Sequence, residues 1–256
     1  MEYPETRNQK PANKQRLDLA VVESGLVQSR QHAKALIMEG KILVNDQPVD
    51  KPGTPVSKND NLFLKGNDIP YVSRGGLKLE SALKAFDINA DGFFCLDVGA
   101  STGGFTDCLL QHGAEKVFAV DVGYGQLAWK LRQHSRVIVI ERTNIRHMPL
   151  KALPCPVDLI TIDVSFISLK IVVPAVMKFM KKDAGIVALI KPQFEVGRGK
   201  VGKGGVVRNP DLHNEVISEL SDFFIDKGFL CKPVIPSPIL GPKGNREFFI
   251  HLNMVS

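Results

Sequence analysis

The sequence predicts an α/β protein: a small N-terminal α+β module, then a doubly wound, mostly parallel sheet closed by an antiparallel hairpin. Three observations predict it. From residue 73 onward, short apolar runs alternate with amphipathic stretches, the strand–helix–strand order that builds parallel crossovers. The last two extended segments, in "FLCKPVIPSP" and "REFFIHLN", have no helix between them, so they form a hairpin. Residues 16–64 read differently, as two short helices followed by a small β unit.

Residues 1–15 are polar, hold no apolar signal core, and read as a disordered leader. In the module 16–64, Leu17, Leu19, Ala20, Val21 and Leu26 fit one short helix ended by Gly25. Ser29 is the expected N-cap of a second helix carrying Ala33, Leu36 and Ile37 and closed by Gly40. "KILVN", a turn at Asn45–Asp46, and "NLFL" follow as strands. "KGNDIPYV", 65–72, is the linker to the large domain, 73–256. There "RGGLKLESALKAF" is helical, "GFFCLDVGA" the first strand and "GFTDCLLQHG" a helix with a glycine stop. "KVFAVDVG" is a second strand, "LAWKLRQ" a helix, "RVIVIER" a third strand and "VDLITIDVS" a fourth. "IVVPAVMKFMKKD" reads as a helix, "GIVALIKP" as a fifth strand, and "PDLHNEVISELSDFFIDKG" as a long amphipathic helix.

The chain has 256 residues, 44% hydrophobic and 23% charged, the balance of a globular protein. No run approaches the ~18–20 apolar residues of a membrane span, and a cytoplasmic location is expected. The four cysteines show no CxxC spacing, which argues against zinc and disulfides, and the histidines show no metal-ligand spacing. A net charge of +6 hints at a polyanionic partner, and the hint sharpens locally. Residues 191–208 hold Lys191, Arg198, Lys200, Lys203 and Arg208 against the single acid Glu195.

Ligands of such sheets bind at the carboxyl ends of the strands. "DVGASTGGF" follows the first strand, where Gly99, Gly103 and Gly104 let backbone approach a ligand closely. The spacing is neither a dinucleotide fingerprint nor a phosphate-binding loop with its lysine. Asp121 ends the second strand, placed to accept from ribose hydroxyls. Asp97, the glycine turn and Asp121 therefore suit a nucleoside ligand without phosphate, above all S-adenosylmethionine. Asn144, after the third strand, can bond an adenine edge.

Asp163 ends "LITID", Lys191 ends "VALIK", Glu247 lies in the closing strand, and Lys78 lies on the helix before the first strand. Any one of these is ordinarily a solvated strand terminus, but together they make an alternating charge cluster at one sheet edge. Such a cluster suits methyl transfer to a ribose hydroxyl, which must be oriented and relieved of a proton. Lys191 is then either a base of lowered pKa or a hydrogen-bonding positioner. "DVSFIS" lacks the Asn/Asp-Pro-Pro-aromatic run of amino-methylating enzymes, and Cys155 precedes the fourth strand, at the wrong end for a cysteine nucleophile.

Residues 16–64 resemble the small RNA-binding domain named after a ribosomal small-subunit protein, the S-four domain. With "YVSRGGLKLESAL", "LDVGASTGGFTDCLL", "AVDVGYGQL", "IDVSFISL", "LIKPQFE" and "REFFIHL" in order, the chain resembles the TlyA (hemolysin A) family of rRNA methyltransferases. The resemblance implies a Rossmann-like class I S-adenosylmethionine-dependent methyltransferase fold of FtsJ type, with a seven-stranded sheet. It implies a catalytic set of Lys78, Asp163, Lys191 and Glu247. The cofactor loop falls on Asp97, Gly99, Ser101, Thr102, Gly103, Gly104 and Phe105, with Asp121, Val122, Asn144 and Asp163 beside it. The implied substrate is a cytidine 2′-hydroxyl in ribosomal RNA. Candidate RNA contacts are Arg16, Arg30, Lys34 and Lys41 in the module, and Arg74, Arg146, Arg198, Lys200 and Lys203 in the large domain. Phe166 is a candidate for stacking on a base. The implied partner is the ribosomal subunit, with no metal, and the chain is expected to act as a monomer. A non-catalytic assembly factor would be expected to have lost one of the four charged residues, and a pore-forming hemolysin would need an apolar segment that is absent from the sequence.

Overall fold

The structure is a computed structural model that describes residues 14–27, 29–45, 47–57, 60–64, 70–197, 199–202 and 204–254. It divides into two compact units, the smaller holding residues 1–68 together with Pro242–Gly244 and the larger the rest of the chain.

In the smaller unit, strand β1 (Lys14–Arg16) leads into helix α1 (Leu17–Glu23), followed by helix α2 (Arg30–Met38). Ser29 caps α2 by accepting the His32 N–H at 3.2 Å, as the sequence predicts. Strands β2 (Ile42–Val44), β3 (Gln47–Pro48), β4 (Pro55–Ser57) and β5 (Leu62–Leu64) complete the unit. β2 pairs with β3 and β5, and β1 pairs with β4. Lys14 and Gln15 therefore belong to a strand, where the sequence reading ended a disordered leader at residue 15. Leu17, Val21, Ala33, Ile37, Ile42 and Val56 form a core fully closed to solvent.

The larger unit begins with helix α3 (Arg74–Phe86), then β6 (Phe94–Val98), α4 (Gly104–Gln111), β7 (Lys116–Val120), α5 (Trp129–Arg132) and β8 (Val137–Ile140). It continues with β9 (Val157–Ile162), α6 (Leu169–Val176), β10 (Met180–Ile190) and α7 (Pro192–Glu195). Helix α8 (Pro210–Asp226), β11 (Phe229–Cys231), β12 (Ile235–Pro236) and β13 (Phe248–Met254) close it. The sheet order is β11-β13-β10-β9-β6-β7-β8, with β12 also on β13. β6 to β10 run parallel, and β13 lies antiparallel between β10 and β11, the hairpin read from the sequence.

One local reading changes. "MKKD" was expected to end a helix but starts β10, where Met180 pairs with Val157 and an irregularity separates it from Gly185 opposite Leu159. Its lysines face water, so the helical apolar period ends before them. Beyond Lys191, Pro192 starts the short helix α7.

Candidate active site

The sheet's pairing brings the site together. Ala188 is opposite Ile162 on parallel β9, so Asp163 and Lys191 leave adjacent strands at the same edge. Antiparallel β13 sets Phe248 opposite Ile190, so Glu247, just before it, arrives beside Lys191. Lys78 is contributed by α3.

Four charges meet there in alternating sign. Lys78 Nζ donates to Glu247 Oε2 at 2.6 Å, and Lys191 Nζ stands 2.6 Å from Asp163 Oδ1 while donating to Ser165 Oγ at 3.1 Å. Glu247 and Lys78 are buried, and the second oxygen of Glu247 has no hydrogen-bond partner. Burial pulls the Lys191 ammonium toward deprotonation, but Asp163 and Glu247 outweigh it, and its pKa lies above the ordinary lysine value. Burial raises the Glu247 carboxyl, against the opposing pull of Lys78 and Lys191. The resting lysine is therefore an ammonium. This favours the positioner over the base among the roles open to Lys191.

The glycine turn lies along the same edge. Gly99 has φ +86°, and a Cβ there would overlap the Asp163 carbonyl, so only glycine lets the first turn lie on the strand end beside it. Gly104 starts α4 against α3, where a side chain would overlap Ser73 Oγ. Ser101 holds a left-handed φ of 48°, its N–H donating to Asp121 Oδ2 at 2.8 Å, and Gly123 N–H donates to Asp121 Oδ1 at 2.7 Å. Each Asp121 oxygen keeps a lone pair for a hydroxyl. Thr102 is exposed beside Ser101, and Val122 is 70% exposed just past Asp121, an apolar surface on which a flat ring can rest. Asn144 Oδ1 accepts from Arg146 N–H at 3.1 Å and from Arg146 Nε at 3.3 Å, which ties up the carbonyl end of that amide.

Some residues named from the sequence lie elsewhere. Asp97 is fully buried: Thr106 Oγ1 donates to it at 2.6 Å and Thr161 Oγ1 at 3.1 Å. It ties β6, α4 and β9 together under the turn, and burial, opposed by those hydroxyls, raises its pKa to about 7. Phe105 is in the core against Phe249, with ring centroids 6.2 Å apart. Arg74 is buried too, only 6% exposed, rather than presented to solvent. Arg146 and Lys200 are exposed, Lys200 in an ion pair with Glu215, whereas Arg198 and Lys203 lie outside the described residues. Phe166 is 89% exposed at φ 65°, its ring 4.8 Å from Phe194. Unforeseen were Ser165, Thr106, Thr161, Gly241 and Asn245. Only the Gly-Pro-Lys-Gly run that opens "GPKGN" before Glu247 gave a signal, since Gly-Pro marks a turn.

In the smaller unit, Asp18 is fully buried and shared by two guanidinium groups. Arg16 donates to it from two nitrogens at 3.0 and 3.1 Å, and Arg30 from Nε at 3.0 Å. The Arg16 hydrogen bond holds the Asp18 pKa down at about 2, and Arg30 adds to it. Lys34 is exposed, and Lys41 pairs with Glu39 at 2.8 Å. Among the described residues no His/Cys/Asp/Glu cluster could hold a metal, and no helix is long and apolar enough to cross a membrane.

A doubly wound sheet with a glycine turn, an acid at the end of its second strand and a lysine–carboxylate cluster at one edge has the make-up of a nucleoside-cofactor methyltransferase. Residues 71–254 match the FtsJ-like methyltransferase family and residues 15–62 match the S4 domain. The chain belongs to the FtsJ-like methyltransferase family and carries an S4 domain. It is 47% identical to the 16S/23S rRNA (cytidine-2′-O)-methyltransferase TlyA of Mycobacterium tuberculosis, over 94% of this chain and 90% of that protein. A solved structure from Streptococcus thermophilus that bears the hemolysin name is 43% identical, with a TM-score of 0.76 over 95% of this chain and 89% of its own. A SAM-dependent methyltransferase of Aquifex aeolicus shares the fold, at 22% identity and a TM-score of 0.50 over 73% of this chain and 95% of its own.

Proposed function

We propose that this protein methylates the ribose 2′-hydroxyl of a cytidine in ribosomal RNA, with S-adenosylmethionine as methyl donor. One observation carries the reading: Lys78–Glu247 and Lys191–Asp163 form an alternating cluster at the sheet edge that also bears the glycine turn and Asp121. The activity named for the Mycobacterium tuberculosis relative supports the same chemistry.

The residues fit the cofactor. Gly99 keeps the turn open, Asp121 offers a lone pair on each oxygen to ribose hydroxyls, and Val122 offers an exposed apolar face. Bound there, S-adenosylmethionine supplies an electrophilic sulfonium methyl. The protein's task is then to aim a poor nucleophile. Lys191, held as an ammonium, donates to the 2′-oxygen and fixes its lone pair for in-line attack. The released proton has carboxylate acceptors beside that lysine: Asp163, and Glu247 with one unpartnered oxygen and a raised pKa. Asp97 acts from beneath, holding the turn through Thr106 and Thr161.

RNA is met by cations. Asp18 holds Arg16 and Arg30 together, and Lys34, Lys41, Arg146 and Lys200 add charge for phosphates. Such an enzyme works where ribosomal subunits are, in the cytoplasm. The test is incubation with labelled S-adenosylmethionine and each purified ribosomal subunit, followed by mapping of the modified nucleotide. Label on a cytidine 2′-oxygen is the expected result; label on a base atom, or none on either subunit, overturns the reading.

A further inference from the structure

The glycine-rich segment after Lys191 is not loose along its whole length. Val206 and Val207 on its return arm are buried, and Gly202 bridges antiparallel to Val206. One amide side chain holds that arm. Asn245, 3% exposed, accepts the Val207 N–H on Oδ1 at 3.0 Å and donates from Nδ2 to the Gly205 carbonyl at 3.1 Å. It satisfies two backbone groups as a neighbouring strand would.

The backbone of Asn245 belongs to the catalytic edge. Its carbonyl accepts from Gly241 N–H at 2.8 Å, and a Cβ on Gly241 would overlap the Glu247 carboxylate. Glu247 follows two residues on, its own carbonyl accepting from Ser237 N–H at 2.8 Å. Asn245 thus has the cationic segment on its side chain and the Lys78–Glu247 pair on its backbone.

We propose that Asn245 is a positioning residue that couples RNA held by the glycine-rich segment to the placement of Glu247. The inference rests on the ribose-methylation reading. Phosphate contacts at the segment would fix its return arm, and the amide would pass that constraint to the strand start bearing Glu247. RNA engagement would then raise turnover as well as affinity.

The test compares Asn245→Ala with Glu215→Gln. The latter releases Lys200 from its ion pair on α8 and leaves Asn245 untouched. For N245A the expected results are loss of Val207 amide protection in hydrogen exchange and a fall in kcat of roughly 10–100-fold, with S-adenosylmethionine affinity kept within about twofold. For E215Q the expected result is a change in KM for rRNA alone. An exposed Val207 amide with kcat within about twofold of wild type overturns the proposal. So does the same kcat and KM pattern in both variants. Should N245A fail to fold, Asn245→Asp keeps the volume and the Val207 bond but loses the donor to Gly205. A several-fold lower kcat then supports the coupling, and a wild-type kcat overturns it. Wild-type enzyme that transfers no methyl to ribose would sink the functional reading itself, separately from these comparisons.

Discussion

Two charge clusters in this protein are built with opposite polarity toward water. In the larger unit Lys78 and Glu247 are buried together, and Lys191 is almost covered beside Asp163. In the smaller unit the carboxylate of Asp18 is buried and the two guanidinium groups around it are half exposed. A cation enclosed by carboxylates is charged but hard to reach, which suits donation to one well-placed neutral hydroxyl. A buried carboxylate with cations outside orients those cations for anions arriving from solvent. On the proposed function, paired cations and carboxylates serve bond-making in one unit and phosphate recognition in the other.

The sharpest way to break this contrast is to remove the enclosed cation. Lys191→Ala is expected to lower kcat on the order of 10²–10³-fold, with the S-adenosylmethionine affinity measured by calorimetry unchanged. Near-wild-type turnover would remove Lys191 from the chemistry. Next comes Gly241→Ala, whose new methyl must displace the Glu247 carboxylate. A loss of roughly 10–100-fold in kcat and about 1–3 kcal/mol in unfolding free energy is expected, the latter from overpacking. Wild-type values in both would mean that the carboxylate moves without consequence.

In the smaller unit, Asp18→Asn is expected to cost about 1–3 kcal/mol through lost charge-assisted hydrogen bonds, and to weaken rRNA binding without altering S-adenosylmethionine affinity. Arg30→Ala should do less, lowering the slope of log affinity against log salt by about one. An unchanged slope would show that this guanidinium meets no phosphate.

The smallest effect concerns Asp97, whose folded pKa of about 7 exceeds the ordinary aspartate value of ~3.9. A group with a raised folded pKa stabilises fully below its unfolded value, and that contribution is lost as pH rises from about 4 to about 7. Asp97→Asn lacks this titration and can still bond Thr106 and Thr161. Its melting temperature relative to wild type should therefore rise by a few degrees across that window. A constant difference across the window would mean that Asp97 does not titrate there.

Strand ends were easy to read because an apolar run that stops at a charge marks the sheet edge; Asp121, Asp163 and Lys191 follow from that alone. Residues one step inside the edge were not. Asp97, Phe105 and Arg74 have the chemistry of a site and lie buried beneath or beside it, because accessibility depends on what packs over them. Asn245 and Gly241 gave the reverse error. An amide and a glycine in a loop look ordinary until their partners, Val207 and Glu247, are known.

The sequence by itself determined the strand–helix alternation of the large domain, the closing hairpin and the charges that follow β7, β9 and β10. These are local quantities, written in periodicity, caps and turn residues. Tertiary structure alone decided that β13 lies against β10 with Phe248 opposite Ile190. It also decided that Lys78 reaches Glu247 across 169 residues of sequence, and that Asn245 holds the cationic segment. These depend on register between distant segments. A one-residue slip would turn every side chain to the other face, so only the packed core fixes which charges meet.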